Sequence, residues 1–261
     1  MKVHAPKISR RLFFYLAALA SPALVYADAK WLEPTWVKVR FIHLAKGKPT
    51  HRIVHITDIH HKGDKAYLES VVSKVNALSP DTVCFTGDLV EERQFVPEAL
   101  HLLEGIKAPL YGVPGNHDYW CRAQFDDYRK SFERGGGAWL MDSRVMTCDG
   151  KVQIAGGACL RGPPPATLGP KEGVKNILLL HYPLLAEKVR HKFDLMLAGH
   201  SHGGQVRIPF YGALIVPFWV GRYQIGMFHL PAGTLYVNPG IGWLATPIRF
   251  NCRPEITVFD V

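Results

Sequence analysis

Short apolar runs that stop abruptly at polar clusters constrain this chain more than any other feature of its sequence. Residues 51–57 alternate well enough for a strand and end at Asp58-Ile59-His60. Residues 82–86 are apolar and end at Gly87-Asp88, and residues 109–113 lead into Pro114-Gly115-Asn116-His117-Asp118. Residues 176–180 end at His181, and residues 194–198 end at Gly199-His200-Ser201-His202. Each run reads as a strand, so the polar groups are expected to gather at one edge of a sheet. Helical spacing of apolar residues predicts helices over 65–79, 95–106 and 119–134, and another ending near His191. Further strands are predicted over 138–141, 145–148, 152–156, 234–237 and 256–259. Residues 161–165, Arg-Gly-Pro-Pro-Pro, read as a stiff loop.

Each motif alone has an ordinary explanation. In an extended Asp-x-His, side chains two apart point the same way, and both can reach one metal. Gly87 permits a tight turn, and an Asp beside it is most often a turn residue. Asn116 offers a neutral oxygen ligand, His117 can face the substrate, and Asp118 can hold the imidazole in one orientation. A histidine after a strand, such as His181, is more often a surface group than a ligand. His200 and His202 can approach one site from two sides. Carboxylate, imidazole and amide groups without thiolate suit two divalent metals. His61 is expected to point away.

The chain has 261 residues, enough for one large domain, and a formal charge of +9. That charge favours anionic partners: phosphate substrates, acidic headgroups or nucleic acid. The basic residues are dispersed without an aromatic stacking platform, so nucleic acid is not the expected partner. Five cysteines (84, 121, 148, 159 and 252) contain no C-x-x-C pair, which disfavours a disulfide framework and a thiolate zinc site. Residues 1–29 place Lys2, Lys7, Arg10 and Arg11 before an apolar run, the layout of a signal peptide or an uncleaved anchor. Ser9-Arg10-Arg11-Leu12-Phe13-Phe14 is similar to a twin-arginine export signal. The alternative is an ordinary packed helix, and the free cysteines argue mildly against an oxidising compartment. Residues 30–49 read as a linker, with the catalytic domain over 50–261. The apolar stretch 210–220 reads either as core packing or as a loop touching a bilayer or an acyl chain. Arg222 and Arg249 are in reach of a phosphate in principle, but surface arginine is the simpler reading.

The ordered set of motifs resembles the calcineurin-like metallophosphoesterase superfamily. Residues 199–209 (GHSHGGQVRIP) and 249–256 (RFNCRPEI) resemble its bacterial YaeI/YkuE-type phosphodiesterase branch. The resemblance implies an α/β fold of four layers, two mixed sheets packed together with helices outside. It implies that Asp58, His60 and His202 hold one metal, that Asn116, His181 and His200 hold the second, and that Asp88 bridges them. His117 would then stabilise the transition state or protonate the leaving oxygen, with Asp118 orienting it. Manganese is the expected metal, with iron, zinc or magnesium as alternatives. The expected activity is hydrolysis of a phosphodiester or pyrophosphate bond at a membrane, on the inner-membrane surface or after export. A narrower reading is a pyrophosphatase acting on UDP-2,3-diacylglucosamine, which the apolar 210–220 stretch and the basic charge would suit. A non-catalytic, metal-stabilised interaction module is the remaining alternative, disfavoured because no ligand position is missing.

Overall fold

The structure, a computed structural model, describes residues 9–158, 162 and 164–261. Cys159 and part of the expected 161–165 loop lie outside the described residues, as do Lys2 and Lys7. A first helix, α1 (Arg10–Ala27), carries Pro22 within it. Among the described residues no helix is long and apolar enough to cross a membrane.

Strand β1 (Lys38–His43) precedes β2 (Arg52–Ile56), α2 (Lys65–Ala77), β3 (Thr82–Phe85), α3 (Val96–Leu103) and β4 (Leu110–Gly112). Next come α4 (Asn116–Trp120), α5 (Phe125–Arg134), β5 (Ala138–Trp139), β6 (Ser143–Met146), β7 (Val152–Gly156), β8 (Lys175–Leu179) and β9 (Leu195–Ala198). A small hairpin follows, β10 (Arg207–Ile208) and β11 (Gly212–Ala213), then β12 (Gly226–Leu230), β13 (Gly233–Val237) and β14 (Glu255–Asp260).

Two six-stranded sheets result, in the orders β1-β14-β2-β3-β4-β5 and β12-β13-β9-β8-β7-β6. Both are mixed. In the first, β2 to β5 run parallel while β14 is antiparallel to β2. In the second, β7, β8, β9 and β13 run parallel between antiparallel edge strands. Strands buried on both faces must be apolar throughout, which explains the runs in the sequence. Ile53, Cys84 and Phe259 of the first sheet meet Ile177, Leu197 and Tyr236 of the second between the sheets. Leu68, Val71 and Val75 of α2, with Ala99 and Leu103 of α3 and Phe132 of α5, cover the outer face of the first sheet.

Several boundaries differ from the sequence reading. Residues 30–49 are not a linker throughout, because β1 pairs in parallel with β14 from Lys38↔Glu255 to His43↔Asp260. The helix expected over 119–134 is two pieces, α4 and α5. The helix expected to end near His191 is a 3-10 turn over Pro183–Lys188, whose Leu185 and Ala186 pack on the outer face of the second sheet. Pro183 opens the turn, where its missing N–H would have no partner within it.

Candidate metal centre

The clusters stand just past the ends of β2, β3, β4, β8 and β9. Because these strands are parallel within each sheet, the fold brings the clusters to one edge. The backbone there is unusual. Asp58, His60, Asp88, His200 and His202 have φ of 50°, 45°, 59°, 66° and 48°. Left-handed backbone costs a non-glycine residue free energy and persists only where the surroundings enforce it. Here Asp58 N donates to Gly87 O at 2.9 Å and His60 N to Asp88 O at 3.1 Å. Two glycines permit the close approach. A Cβ on Gly87 would lie 2.4 Å from Gly115 N, and one on Gly199 would lie 2.1 Å from Thr57 Oγ1 and 2.3 Å from Asp58 Oδ2.

The buried side chains form two linked groups. In the first, His202 Nε2 lies 3.1 Å from His60 Nε2 and 3.5 Å from Asp58 Oδ1. In the second, His181 Nε2 lies 2.9 Å from Asn116 Oδ1, 3.2 Å from His200 Nδ1 and 3.2 Å from Asp88 Oδ2. Asp88 Oδ2 is also 3.5 Å from His60 Nε2, so this carboxylate joins the groups. His117 stands at the rim, its ring centroid 4.7 Å from that of His60. Its backbone N–H donates to Asp88 Oδ1 at 2.8 Å.

The outer nitrogens of three imidazoles face acceptors. His181 Nδ1 donates to Thr86 O at 2.7 Å, His200 Nε2 to Phe218 O at 2.8 Å, and His60 Nδ1 to Glu91 Oε1 at 2.7 Å. Their inner nitrogens therefore face one another and the oxygens of Asp58, Asp88 and Asn116. Acceptors converging in a buried site need cations between them, protons or metals. In the protein alone, protons fill the role. Burial opposes charge on His181, but Asp88 outweighs it and raises the imidazole to about 9. Burial likewise opposes charge on His60, and the nearby Asp58 carboxylate and the hydrogen bond to Glu91 raise it to about 9. Burial pushes His200 down to about 4, aided by His181. Burial also holds His202 well below its ordinary value. Burial disfavours ionised Asp58 and Asp88, yet the surrounding imidazoles keep both below the usual carboxylate range. The donor set of two carboxylates, one amide oxygen and four imidazoles fits a pair of divalent cations.

One expected role does not hold. Asp118 does not touch His117. Its carboxylate accepts from Asp88 N (2.9 Å), Leu89 N (3.1 Å), Gly115 N (2.8 Å) and the Tyr128 hydroxyl (3.0 Å). The residue bonded to His117 is Glu91, whose Oε2 lies 3.0 Å from His117 Nδ1. Glu91 thus grips His60 and His117 together. Burial works against its charge, but hydrogen bonds from His117 and His60 hold it below the usual range. The sequence reading missed Glu91, which stands in the charged run Glu91-Glu92-Arg93 three positions past Asp88. His61, set aside as pointing away, is buried and donates to Glu98 at 2.7 Å.

Arg249 also departs from expectation. It is fully buried rather than on the surface. Its guanidinium donates to the carbonyls of Gly242 (3.0 Å), Cys252 (3.0 Å), Pro239 (2.9 Å) and Gly240 (3.3 Å). Arg222 is exposed and bonds the Tyr223 hydroxyl at 3.1 Å. The 210–220 stretch is core only at its end, where Val220 is buried and Trp219 packs on the second sheet's cluster; Phe210, Ile215 and Phe218 are exposed.

Comparisons with known proteins agree with this geometry. Residues 51–204 match the model of the calcineurin-like phosphoesterase family, a span containing every candidate ligand. The metallophosphoesterase YkuE of Bacillus subtilis is 33% identical, with 98% of each chain covered. The phosphodiesterase YaeI of Escherichia coli is 27% identical over 97% of this chain and 99% of its own. The UDP-2,3-diacylglucosamine pyrophosphatase LpxG of Chlamydia trachomatis is 28% identical over 91% of this chain and 93% of its own. With more than half of its length matched and those residues converging as described, the chain belongs to the calcineurin-like phosphoesterase family and is a hydrolase acting on phosphoesters.

Proposed function

We propose that the chain is a two-metal phosphodiesterase. The observation that carries this reading is the convergence of buried acceptors around Asp88. Asp58, His60 and His202 would hold one ion; Asn116, His181 and His200 would hold the other; Asp88 would be shared. Bound divalent cations supply positive charge that polarises a phosphoryl group and acidifies water. Oxygen and imidazole donors without thiolate suit manganese, with iron, zinc or magnesium as alternatives.

The chain's own residues do the rest. The backbone N–H of His117 holds Asp88 Oδ1 and leaves Oδ2 toward His60 and His181. Glu91 fixes the His117 ring through Nδ1, so Nε2 is the atom placed to give a proton to the leaving oxygen. Asp118 acts indirectly, pinning the amides of Asp88 and Leu89 and so the turn that carries the shared carboxylate.

A narrower reading is cleavage of a lipid-linked pyrophosphate such as UDP-2,3-diacylglucosamine. Two mainly apolar cavities favour it, of about 580 and 520 Å³, one bordered by His200 and the other by His202. We place the protein at a membrane, with residues 1–29 as signal or anchor. Cleavage of that segment would argue for export and against a cytoplasmic lipid substrate. Mass spectrometry of products tests the reading, with an aryl phosphodiester and UDP-2,3-diacylglucosamine offered with manganese, iron, zinc, magnesium or a chelator. Metal-dependent release that Asp88→Asn abolishes while folding persists is expected. Normal turnover by that variant would refute the role of Asp88. Absent hydrolysis with every metal would favour the non-catalytic module.

A further inference from the structure

We propose that the tip of the β10–β11 hairpin and the segment 24–36 form one surface that docks on an anionic lipid bilayer and holds the mouth of the metal centre against it. This names the contact face for the membrane association put forward above, and rests on that association.

The first observation is where apolar surface is exposed. Fifteen large hydrophobic side chains are exposed among the described residues; six lie in 24–36 and six in 208–218. Phe210 at the hairpin tip, Ile215 and Phe218 are 112%, 81% and 91% exposed, and Trp31 and Leu32 are more than half exposed. Apolar surface concentrated this way marks an interaction site.

The second is that the two stretches are neighbours. Both are tied to residues 249–253. Arg249 N donates to Ala29 O at 2.9 Å, and the Glu33 carboxylate accepts from Asn251 N at 2.9 Å and Cys252 N at 3.2 Å. Phe250, between them, turns the other way: its N–H donates to Gln205 O at 2.8 Å, and its carbonyl accepts from Arg207 N at 2.9 Å. The shared segment therefore carries 24–36 along one side and the hairpin along the other.

The third is charge. Three of the four cation-over-ring pairs among the described residues stand in or beside this region. Arg253 lies 3.7 Å over Trp36, at the end of the first stretch. Lys188 lies 5.3 Å over Trp219, just past the second, whereas Tyr223, beside Arg222, is buried in the core. Lys62 lies 3.5 Å over Trp243, next to the cavity wall at Leu244. Aromatic rings paired with cations suit the headgroup level of a bilayer, with the apolar tips below it. The formal charge of +9 favours anionic lipid and opposes a second copy of the chain on this face.

The fourth is the position of the metal centre. Leu214, Ile215 and Phe218 border the cavity that reaches His202, and the Phe218 carbonyl holds His200. Docking through this loop would bring the candidate ligands close to headgroup phosphates.

Cosedimentation of the full chain with phosphatidylcholine vesicles, with and without phosphatidylglycerol, tests the proposal. Two variants, Phe210→Glu/Tyr211→Glu and Trp31→Glu/Leu32→Glu, change exposed side chains on the two halves of the face. Wild type is expected to bind anionic vesicles, more weakly at high salt, and each variant to lose about tenfold or more in partitioning. Circular dichroism and vesicle-free hydrolysis of an aryl phosphodiester by the hairpin variant should match wild type. No binding by wild type would remove the membrane association and this face with it. Undiminished binding by both variants would leave the association in place and overturn the face. A dimer that the hairpin variant converts to monomer, without vesicle binding, would assign the surface to a second copy and also overturn the proposal.

Discussion

Replacing Arg249 by methionine removes a buried cation that ties two loops together behind the metal centre. The guanidinium donates to four carbonyls, those of Pro239, Gly240, Gly242 and Cys252. A hydrogen bond to a charged group contributes about 1.5–3 kcal/mol, so the four together set a ceiling of roughly 6–12 kcal/mol. Removing the charge also removes its desolvation penalty, several kcal/mol for a buried ion. The remainder, with four carbonyls left without this donor, is a destabilisation of about 3–5 kcal/mol. For a domain of this size that lowers the melting temperature by roughly 6–20 °C. The damage should reach the site, because Ile241 N donates to Thr57 O at 2.9 Å and Gly242 N to Asp58 O at 2.7 Å. Thermal unfolding by circular dichroism, with chelator and with saturating metal, measures both effects. Arg249→Lys keeps the charge but lacks the planar fork, and is expected to fall between wild type and Arg249→Met. A loss of less than about 1 kcal/mol in Arg249→Met would refute the argument that these carbonyls depend on this side chain.

Glu91→Gln should lower metal affinity or turnover by about 10–100-fold while the protein stays folded, since Glu91 orients both His60 and His117. Metal titration alongside steady-state kinetics checks this; wild-type values in both would exclude the positioning role. Asp118→Asn should cost about 1–3 kcal/mol in urea unfolding, because an ionised acceptor of three amides is lost. It should leave the pH profile of His117-dependent steps unmoved, as no contact joins the two. His60 and His181 are raised from 6.5 to about 9 in the metal-free protein. Their charged forms thus add stability that is fully present below 6.5 and lost as pH rises through about 9. Metal must displace those protons, so loading should strengthen with pH across that window. Calorimetry in buffers of different ionisation enthalpy should register proton release; uptake, or no exchange, would contradict the assignment.

The polar clusters were legible because the chemistry of a strand end is local. An apolar run says where a strand lies, and the residue after it says what stands at the sheet edge. Asp58, Asp88, His181 and His200 were found that way, and the structure brings them together. The remainder depends on partners distant in sequence. β1 reads as a linker in sequence because an edge strand half open to water lacks the apolar density of β3 or β8, and it is a strand only because β14 lies beside it. β12 carries no clear strand signal for a similar reason, with Met227 and His229 exposed along it. Arg249 carries no local sign of burial; its solvent shell is made of carbonyls from two loops. Glu91 looked like one charge in a charged run, and Asp118 stood next to His117 in sequence while facing away from it in space. Adjacency in the chain was the wrong guide in the first turn of a helix, where successive side chains diverge.

The place of β14 within the first sheet governs the order of assembly. This strand lies between β1 and β2, and Arg52 bonds Asp260 across 208 positions of sequence. Every candidate ligand therefore leaves the ribosome before the strand that completes the sheet beneath Asp58 and Asp88. Closing so distant a contact is slow compared with local helix formation. The sheet edge beneath the centre is therefore complete only once β14 has joined β1 and β2.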